Sequence, residues 1–189
     1  IDVDINTFNM CSVDLKKKIT KRTKAIIFVH SFGNPSGFRK INKIAKKNKI
    51  PLIEDAACAI GSKIKTKYVG EESFLSCFSF HQKKILNTGE GGMISSNNSR
   101  IFKKILLKTN LGAIIKKNSV YNNFISSGFN YRLSELQCLI GQKQIDKLKK
   151  KISIRNSIFK IYISNLTKIG FIPQKIEKNY KSNIQSCVF

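Results

Sequence analysis

Short apolar runs alternate with amphipathic segments along the first third of the chain. Residues 25–30 form an apolar run that ends at a turn rich in glycine and proline, which is typical of a buried strand followed by a loop. Residues 38–48 place isoleucine and alanine on one stripe and lysine elsewhere, as in a helix packed on a sheet. Residues 51–57 form the next apolar run, with acidic residues at its carboxyl end. This alternation predicts an α/β fold with a mostly parallel sheet flanked by helices, whose ligands bind beyond the carboxyl ends of the strands. Because parallel strands end at the same edge of a sheet, we expect Asp55 to lie beside the loop that follows His30.

The remaining segments are shorter or less regular. The same patterns predict these further elements: a strand over 1–5, a helix capped by Ser12, a strand over 91–95, helices over 99–109, 132–150 and 152–166, and a loop that passes Tyr121 and ends near Gly128.

An unusual set of polar side chains lies between Ser73 and Met93. An apolar run delivers Ser79 and His81, and a lysine pair and a glycine-rich turn follow. A lysine at the end of an interior strand lies in a partly desolvated place, where its charged form is disfavoured. Such an amine can act as a nucleophile toward a carbonyl group. In a lysine-rich chain, a solvated lysine is the alternative that this stretch alone leaves open.

The charge of the chain raises a different class of function. The 189 residues carry 35 Lys+Arg against 11 Asp+Glu, a formal net charge of +24, which suggests nucleic acid as a partner. The lysines are spread through nearly every helical segment, however, and no arginine cluster or basic arm is present. We therefore interpret the charge mainly as solvated helix faces, and we do not expect nucleic acid as a partner. A basic face that binds polyanions stays open as an alternative.

Cysteine, histidine and apolar residues limit the setting of the protein. Five cysteines without a C-x-x-C pair do not make a disulfide framework, and two histidines are too few for a histidine-rich metal site. We expect no metal and a reducing, cytoplasmic environment. No apolar run approaches the roughly 20 residues that span a bilayer, so no membrane partner is expected. The chain begins at Ile1 and stops within a possible strand, so we expect a fragment of a longer protein.

Four segments match the motifs of one family in order and spacing. They are I-E-D-A-A-C-A-I-G-S at 53–62, F-S-F-H-Q-K-K-I-L-N-T-G-E-G-G at 78–92, G-F-N-Y-R-L-S-E-L-Q at 128–137, and the turn V-H-S-F-G-N-P at 29–35. They resemble the DegT/DnrJ/EryC1/StrS family, the pyridoxal-phosphate-dependent aminotransferases of nucleotide-linked sugars. The resemblance covers residues 1–166. Each motif alone is modest in specificity, but four in register argue against chance.

The resemblance implies two catalytic residues. It places the Schiff-base lysine at Lys84 rather than at Lys83, and the freed amine would move the alpha proton of the substrate as a general base. Asp55 matches the carboxylate that pairs with the pyridine nitrogen of pyridoxal 5'-phosphate. A carboxylate at that nitrogen keeps it protonated, which makes the ring an electron sink.

Further residues are implied in binding. Ser79 matches a hydroxyl that the family uses on the cofactor phosphate. Cys58 stands where many relatives carry Gln or His close to the cofactor ring, and we expect it to pack against the ring without taking part in catalysis. His81 is expected to shape the lysine turn and to lie near the substrate.

Asn130 and Arg132 match positions that reach across a dimer interface in this family. There they approach the cofactor phosphate and the substrate of the neighbouring subunit, which implies a homodimer with a shared active site. The pattern places Arg132 in the first turn of a helix, where the macrodipole does not favour a cation. Its presence there supports a binding role toward the substrate.

The resemblance also implies an architecture and a reaction. Residues 1–150 would form the central part of a fold-type-I, aspartate-aminotransferase-like large domain, and 151–189 a connecting helix and the start of the small C-terminal domain. Glutamate is the expected amino donor, and a nucleotide-linked keto sugar is the expected acceptor in surface polysaccharide or lipopolysaccharide synthesis. A sugar dehydratase of the same family is the alternative, although those relatives replace the lysine by histidine and Lys84 argues against it. A non-catalytic remnant is a further alternative.

Overall fold

The computed structural model describes residues 1–114 and 123–189, so Tyr121 of the predicted loop lies outside the described residues. Strands and helices alternate as far as the second strand, as the hydrophobic pattern predicts. In chain order the elements are α1 (Ser12–Lys18), β1 (Ile26–Val29), α2 (Phe38–Lys47), β2 (Leu52–Asp55), β3 (Lys63–Ile64), β4 (Lys67–Tyr68), β5 (Leu75–Ser79), β6 (Gly92–Ser95), α3 (Ser99–Thr109), β7 (Ala113–Ile114), β8 (Asn123–Phe124), α4 (Glu135–Leu166) and β9 (Tyr180–Lys181).

The main sheet has the strand order β1-β2-β5-β6. β1 pairs with β2 in parallel, β2 pairs with β5 in parallel, and β6 pairs with β5 antiparallel. The register places Val29, Asp55 and Cys77 side by side. The predicted α/β fold with a mostly parallel sheet is therefore confirmed, and β1, β2 and β5 end at one common edge.

One face of this sheet carries the hydrophobic core. Phe28 of β1 and Leu52 of β2 are buried there against α2, in which Phe38 and Ile41 are fully buried. The Phe28 and Phe38 rings meet edge to face with centroids 5.7 Å apart, a favourable aromatic geometry. Burial of each such side chain contributes about 1.5–3 kcal/mol. The apolar stripe of α2 thus holds β1 and β2 from one side.

The opposite face of the sheet is more open. Ile27 and Val29 of β1 are 57% and 47% exposed on that side. Partners in a parallel register point to the same face, and side chains alternate along a strand. Asp55 and Cys77 therefore share the open face with Val29, and so does Ser79 at the end of β5. The polar groups of the predicted site and the core occupy opposite faces.

Helix α4 is longer than the sequence pattern predicts. It runs without interruption for 32 residues, about 48 Å, whereas the pattern predicts separate helices over 132–150 and 152–166. No glycine or proline stands near residue 151 to break it. None of the helices in the described part of the chain is long and apolar enough to cross a membrane.

One serine caps a helix, and the serine predicted to cap another does not. Ser134 forms a capping box with Gln137: its Oγ accepts from the Gln137 N–H at 3.3 Å, and Gln137 Oε1 accepts from the Ser134 N–H at 3.0 Å. In α1 the predicted cap is wrong, because Ser12 lies inside the helix and Cys11 is the N-cap residue, with no side-chain cap bond.

The predicted strand over residues 1–5 is also wrong. In this fully described segment, Val3 forms only an isolated bridge with Met10. Asp4 closes a turn, because its Oδ1 accepts from the N–H of Thr7 at 2.8 Å. A short acidic side chain that satisfies nearby backbone groups competes with a strand ladder.

The carboxyl-terminal segment returns to the body of the protein. β9 pairs antiparallel with β3, which also pairs with β4, and Tyr180 packs against the core. On the loop after β1, buried Asn34 donates through Nδ2 to the Lys175 carbonyl at 3.0 Å. The segment therefore lies against the loop at the end of β1, while a domain boundary after residue 150 stays a prediction.

The same loop gives a test of close packing. Gly33 has φ +90°, and a methyl group there would overlap Asn183 Oδ1 and approach the Cys58 carbonyl oxygen at 2.9 Å. We expect Gly33→Ala to lower the free energy of unfolding by about 1–3 kcal/mol, because backbone strain and overpacking add. Gly37 is the matched control, since its φ is +84° but a methyl group meets no described atom within 4 Å. Urea unfolding measures both variants, and equal losses would refute the packing explanation.

Candidate functional site

The candidate site lies where β1, β2 and β5 end. The His30 N–H donates to the Asp55 carbonyl at 3.0 Å, and the Ala56 N–H donates to the Cys77 carbonyl at 2.8 Å. The backbone ladder therefore holds the three strand ends in register up to the loops. The prediction that Asp55 and the loop after His30 share one edge is confirmed.

The Asp55 carboxylate is half-buried and has one free oxygen. Its Oδ1 accepts from the Ala57 N–H at 3.1 Å, which fixes the side chain at the strand end. Its Oδ2 has no hydrogen-bond donor among the described residues, and the strand register places the residue on the open face of the sheet. Burial raises the pKa of the neighbouring Cys77 thiol, and the Asp55 charge adds to this rise. The arrangement offers one carboxylate oxygen to a cationic or N–H group above the sheet.

Lys84 lies in the turn that follows β5. Its N–H donates to the His81 carbonyl at 2.9 Å, and its Nζ lies 3.1 Å from Cys58 Sγ. Cys58 follows Asp55 by three residues, so this contact brings the amine to the end of β2. Lys84 is half-buried, whereas Lys83 is exposed. Of the lysine pair, it is Lys84 that faces the strand ends.

Ser79 and His81 organise the first part of this turn. The His81 N–H donates to Ser79 Oγ at 3.3 Å, and the Lys83 N–H donates to His81 Nδ1 at 3.2 Å. His81 Nε2 lies 3.6 Å from Glu90 Oε1. Ser79 accepts one of these bonds, so its own O–H remains able to donate to an anion above the sheet.

A buried polar cluster lies under the site on the core face of the sheet. His30 and Glu54 are fully buried and joined by a 2.6 Å contact between Nε2 and Oε2. Ser76 Oγ donates to Glu54 Oε1 at 3.1 Å and lies 2.8 Å from Ser73 Oγ. Burial acts to raise the pKa of Glu54. The hydrogen bond and the electrostatic attraction of His30, together with hydrogen bonds from Ser73 and Ser76, outweigh burial, so the pKa of Glu54 lies below its ordinary value. Glu54 is therefore a buried carboxylate next to Asp55.

The proton of His30 can be placed from its surroundings. Nδ1 is buried and has no hydrogen-bond partner among the described residues. Because Glu54 is a carboxylate, the 2.6 Å contact requires a proton on Nε2, which donates to Oε2. The structure therefore places a proton on Nε2 of His30, toward Glu54.

Asn130 and Arg132 bond to each other and, among the described residues, not to those at the strand ends. Arg132 Nε donates to Asn130 Oδ1 at 2.8 Å, and both residues are exposed. In the described part of the chain, no hydrogen bond joins either to Asp55 or Lys84. The prediction that Arg132 begins a helix is wrong, because the capping box starts α4 at Glu135. Because Arg132 lies outside the helix, the argument from the helix macrodipole does not apply to it. The role of Arg132 toward a second subunit stays a prediction.

The site is an open surface and is separate from a cavity in the fold. This cavity of about 780 Å³ lies between α4 and β9, and its lining includes Phe78, Leu148, Ile152 and Tyr180. Phe78 alternates with the side chains of the open face, so the cavity opens on the core side of β5. The predicted site residues are not among its described lining residues.

The sequence pattern did not reveal the side chains that hold the lysine turn. Gln144 of α4 donates through Nε2 to the Asn87 carbonyl at 2.8 Å. Gln185 bonds the backbone on both sides of Lys84. Neither glutamine belongs to a recognisable motif, so only the spatial contacts identify them. His30 and Glu54 had a partial signal, because adjacent strand residues alternate between faces and Glu54 must face the core if Asp55 faces outward.

Known proteins resemble this chain in both sequence and architecture. The sequence model of the DegT/DnrJ/EryC1/StrS aminotransferase family matches residues 1–189. GDP-perosamine synthase of Escherichia coli O157:H7 is 36% identical over 169 residues, which cover 89% of this chain and 46% of that protein. The chain spans about half the length of the curated relatives that it matches.

Two solved structures illustrate the shared fold. Helicobacter pylori PseC, an aminotransferase involved in the biosynthesis of pseudoaminic acid, has a TM-score of 0.91 at 30% identity and is matched over 98% of this chain and 50% of its own. GDP-4-keto-6-deoxy-D-mannose-3-dehydratase of E. coli, solved with bound hydrated PLP, has a TM-score of 0.87 at 28% identity, with 99% and 51% covered. The predicted aminotransferase fold is confirmed. With a match along its whole length, the chain belongs to the DegT/DnrJ/EryC1/StrS aminotransferase family.

Proposed function

We propose that the protein uses pyridoxal 5'-phosphate to transfer an amino group to a nucleotide-linked keto sugar. The observation that carries the proposal is the placement of Lys84. Its half-buried amine contacts Cys58, three residues beyond Asp55, at the open end of a parallel sheet. Family membership supports the same cofactor and the same class of reaction.

The groups at the strand ends fit this cofactor chemically. The primary amine of Lys84 suits its aldehyde, the free oxygen of Asp55 suits a protonated ring nitrogen, and the hydroxyl of Ser79 suits a phosphate oxygen. The Cys58 thiol offers a small apolar surface for the ring. When bound, the cofactor supplies an electron sink for the carbanion that forms at the substrate.

The residues of this chain would bind, orient and move protons. Lys84 Nζ would hold the cofactor covalently and, once freed, take a proton from one carbon and return it to another as a general base and acid. Asp55 would hold the proton on the ring nitrogen. Because Oδ1 of Asp55 is already bonded to the Ala57 N–H, the carboxylate is oriented before the cofactor arrives, which lowers the ordering cost of binding.

The partners and the setting belong to the same proposal. Glutamate is the proposed amino donor, and the product would enter surface polysaccharide or lipopolysaccharide synthesis. The exposed Asn130–Arg132 pair is proposed to complete the site of a second subunit in a homodimer, with His81 and Arg132 near the substrate. All five cysteines are free thiols, which supports a reducing cytoplasm.

An assay of the full-length natural protein tests the proposed function. The protein is incubated with pyridoxal phosphate, glutamate and a panel of GDP- and UDP-linked keto sugars that includes GDP-4-keto-6-deoxy-D-mannose. We expect an amino sugar and an equal amount of 2-oxoglutarate, both measured by mass spectrometry. A deoxygenated sugar without new nitrogen would instead support the dehydratase alternative. If no sugar in the panel is aminated, the proposed substrate class is wrong.

A further inference from the structure

The side chain of Gln185 bonds the backbone on both sides of Lys84. Its Oε1 accepts from the Ile85 N–H at 3.1 Å, and its Nε2 donates to the Lys83 carbonyl at 2.9 Å. A residue of a parallel strand bonds the two neighbours of the residue opposite it in the same way. One primary amide thus fixes both peptide groups that flank the lysine.

Gln185 is itself held at both ends of its backbone. Its N–H donates to the Phe32 carbonyl at 3.1 Å, in the loop after β1. Its carbonyl accepts from Arg155 of α4 at 3.0 Å, and the same guanidinium nitrogen donates to the Ile184 carbonyl at 3.0 Å. An amide that extends from an anchored backbone loses less freedom when it binds than one on a mobile segment. The loop after β1, the lysine turn and α4 therefore meet at this residue.

Helix α4 supports the same turn from its far side. Lys151 Nζ donates to the Ile85 carbonyl at 3.2 Å and to Gln144 Oε1 at 2.8 Å. Gln144 in turn bonds the Asn87 backbone. Gln144 and Lys151 are seven residues apart and lie on one helix face. These bonds hold the part of the turn beyond Lys84, whereas Gln185 bonds the Lys83 carbonyl and the Ile85 N–H.

We propose that Gln185 is a positioning residue for Lys84. By fixing the peptide groups before and after Lys84, its amide sets the direction in which the lysine side chain leaves the backbone. The amine is thereby aimed at Cys58 and the open sheet face, and the exposed Lys83 is kept turned away. This inference rests on the proposed function, since it takes Lys84 as the residue that holds the cofactor.

Substitutions at Gln185 separate the two hydrogen bonds. Gln185→Met keeps the length of the side chain and removes both bonds, whereas Gln185→Glu keeps the acceptor for the Ile85 N–H and loses the donor to the Lys83 carbonyl. Gln174→Met is the matched control, because Gln174 Nε2 donates to the carbonyls of Thr7 at 2.7 Å and Ser31 at 3.2 Å. It removes a comparable amide that makes no bond to the lysine turn.

Two measurements on the full-length natural protein test the role. In Gln185→Met we expect hydrogen exchange at the Ile85 amide to be about tenfold faster. We also expect pyridoxal phosphate, trapped on Lys84 by borohydride and located by peptide mapping, to be held about tenfold more weakly. Gln185→Glu should keep the Ile85 amide protected and still weaken attachment. Gln174→Met should change neither measurement, although we expect it to lower the melting temperature.

The outcomes distinguish this role from the proposed function. If wild-type protein traps no cofactor on Lys84, the proposed function fails before any variant is made, and the positioning role fails with it. If wild-type protein traps the cofactor and Gln185→Met traps it equally well, the positioning role alone is refuted. Equal losses in Gln185→Met and Gln174→Met would also refute it, because a general loss of stability would then explain both. If Gln185→Met does not fold, cofactor trapping in Gln185→Glu tests the positioning role instead, and trapping equal to that of the wild type would refute it.

Discussion

We expect Lys84→Ala to abolish covalent attachment of pyridoxal phosphate and to lower kcat by at least about 10³-fold, because in the proposed function one amine both holds the cofactor and moves the proton. In this variant a methyl group replaces the side chain whose amine lies 3.1 Å from Cys58 Sγ. Among the described residues, no other lysine bonds to Cys58. The visible absorption of the bound cofactor and peptide mapping after borohydride reduction measure attachment in the full-length protein. Steady-state kinetics measure the loss of turnover.

Lys83→Ala is the control for this experiment. Lys83 is the adjacent lysine but is exposed, and its backbone carbonyl, which accepts from Gln185, is kept in the alanine variant. We expect attachment and turnover close to those of the wild type. Survival of the absorption band and of borohydride trapping in Lys84→Ala would contradict the assignment of Lys84 and would point to Lys83 instead.

Replacing Glu54 by alanine lowers the free energy of unfolding by about 3–5 kcal/mol, the largest stability effect that we expect in this protein. The change leaves the buried His30 Nε2–H and the Ser76 hydroxyl without their acceptor, and it opens a hole under the sheet. Urea unfolding followed by circular dichroism measures the loss. Asp146→Ala is the control, because Asp146 is exposed, makes no side-chain hydrogen bond among the described residues, and should cost about 0.5 kcal/mol or less when lost.

The stability contributed by Glu54 also depends on pH. Its pKa in the folded state lies below the ordinary value of 4.5, so between these two pKa values the unfolded chain binds more protons than the folded protein. The contribution is therefore fully present above pH 4.5 and is lost as the pH falls through the folded-state pKa. Comparison with Glu54→Gln, which keeps the shape but does not titrate, isolates this effect. A wild-type advantage that stays constant from pH 6 down to about pH 3 would contradict it.

Much of the candidate site was predictable because it is encoded locally. Asp55 stands at the end of an apolar run, and Lys84 stands in a turn between two strands, so pattern and motif place both at the strand ends. The structure brings the Lys84 amine to Cys58, next to the end of β2, as a shared site requires. The function of each residue is a matter for the experiments above.

The helix boundaries show where local signals compete. Pattern alone starts a helix at Arg132, but the S-E-L-Q sequence from Ser134 is a capping box, and hydrogen bonding to the first N–H groups places the start at Glu135. The break expected near residue 151 does not occur, since no residue there interrupts the backbone hydrogen bonds. The helix therefore continues to Leu166.

The amino-acid sequence by itself determined the alternation of helices and strands from α1 to β2, the sheet edge that carries Asp55, and the motifs of the family, because hydrophobic period and turn residues act over a few neighbouring positions. The tertiary structure decided the rest. It left Lys83 exposed while half-burying Lys84, and it paired His30 with Glu54 under the sheet. It also brought Gln185 to the lysine turn across 100 residues of chain. Such contacts depend on how α4 and the carboxyl-terminal segment pack, and no local pattern encodes that packing.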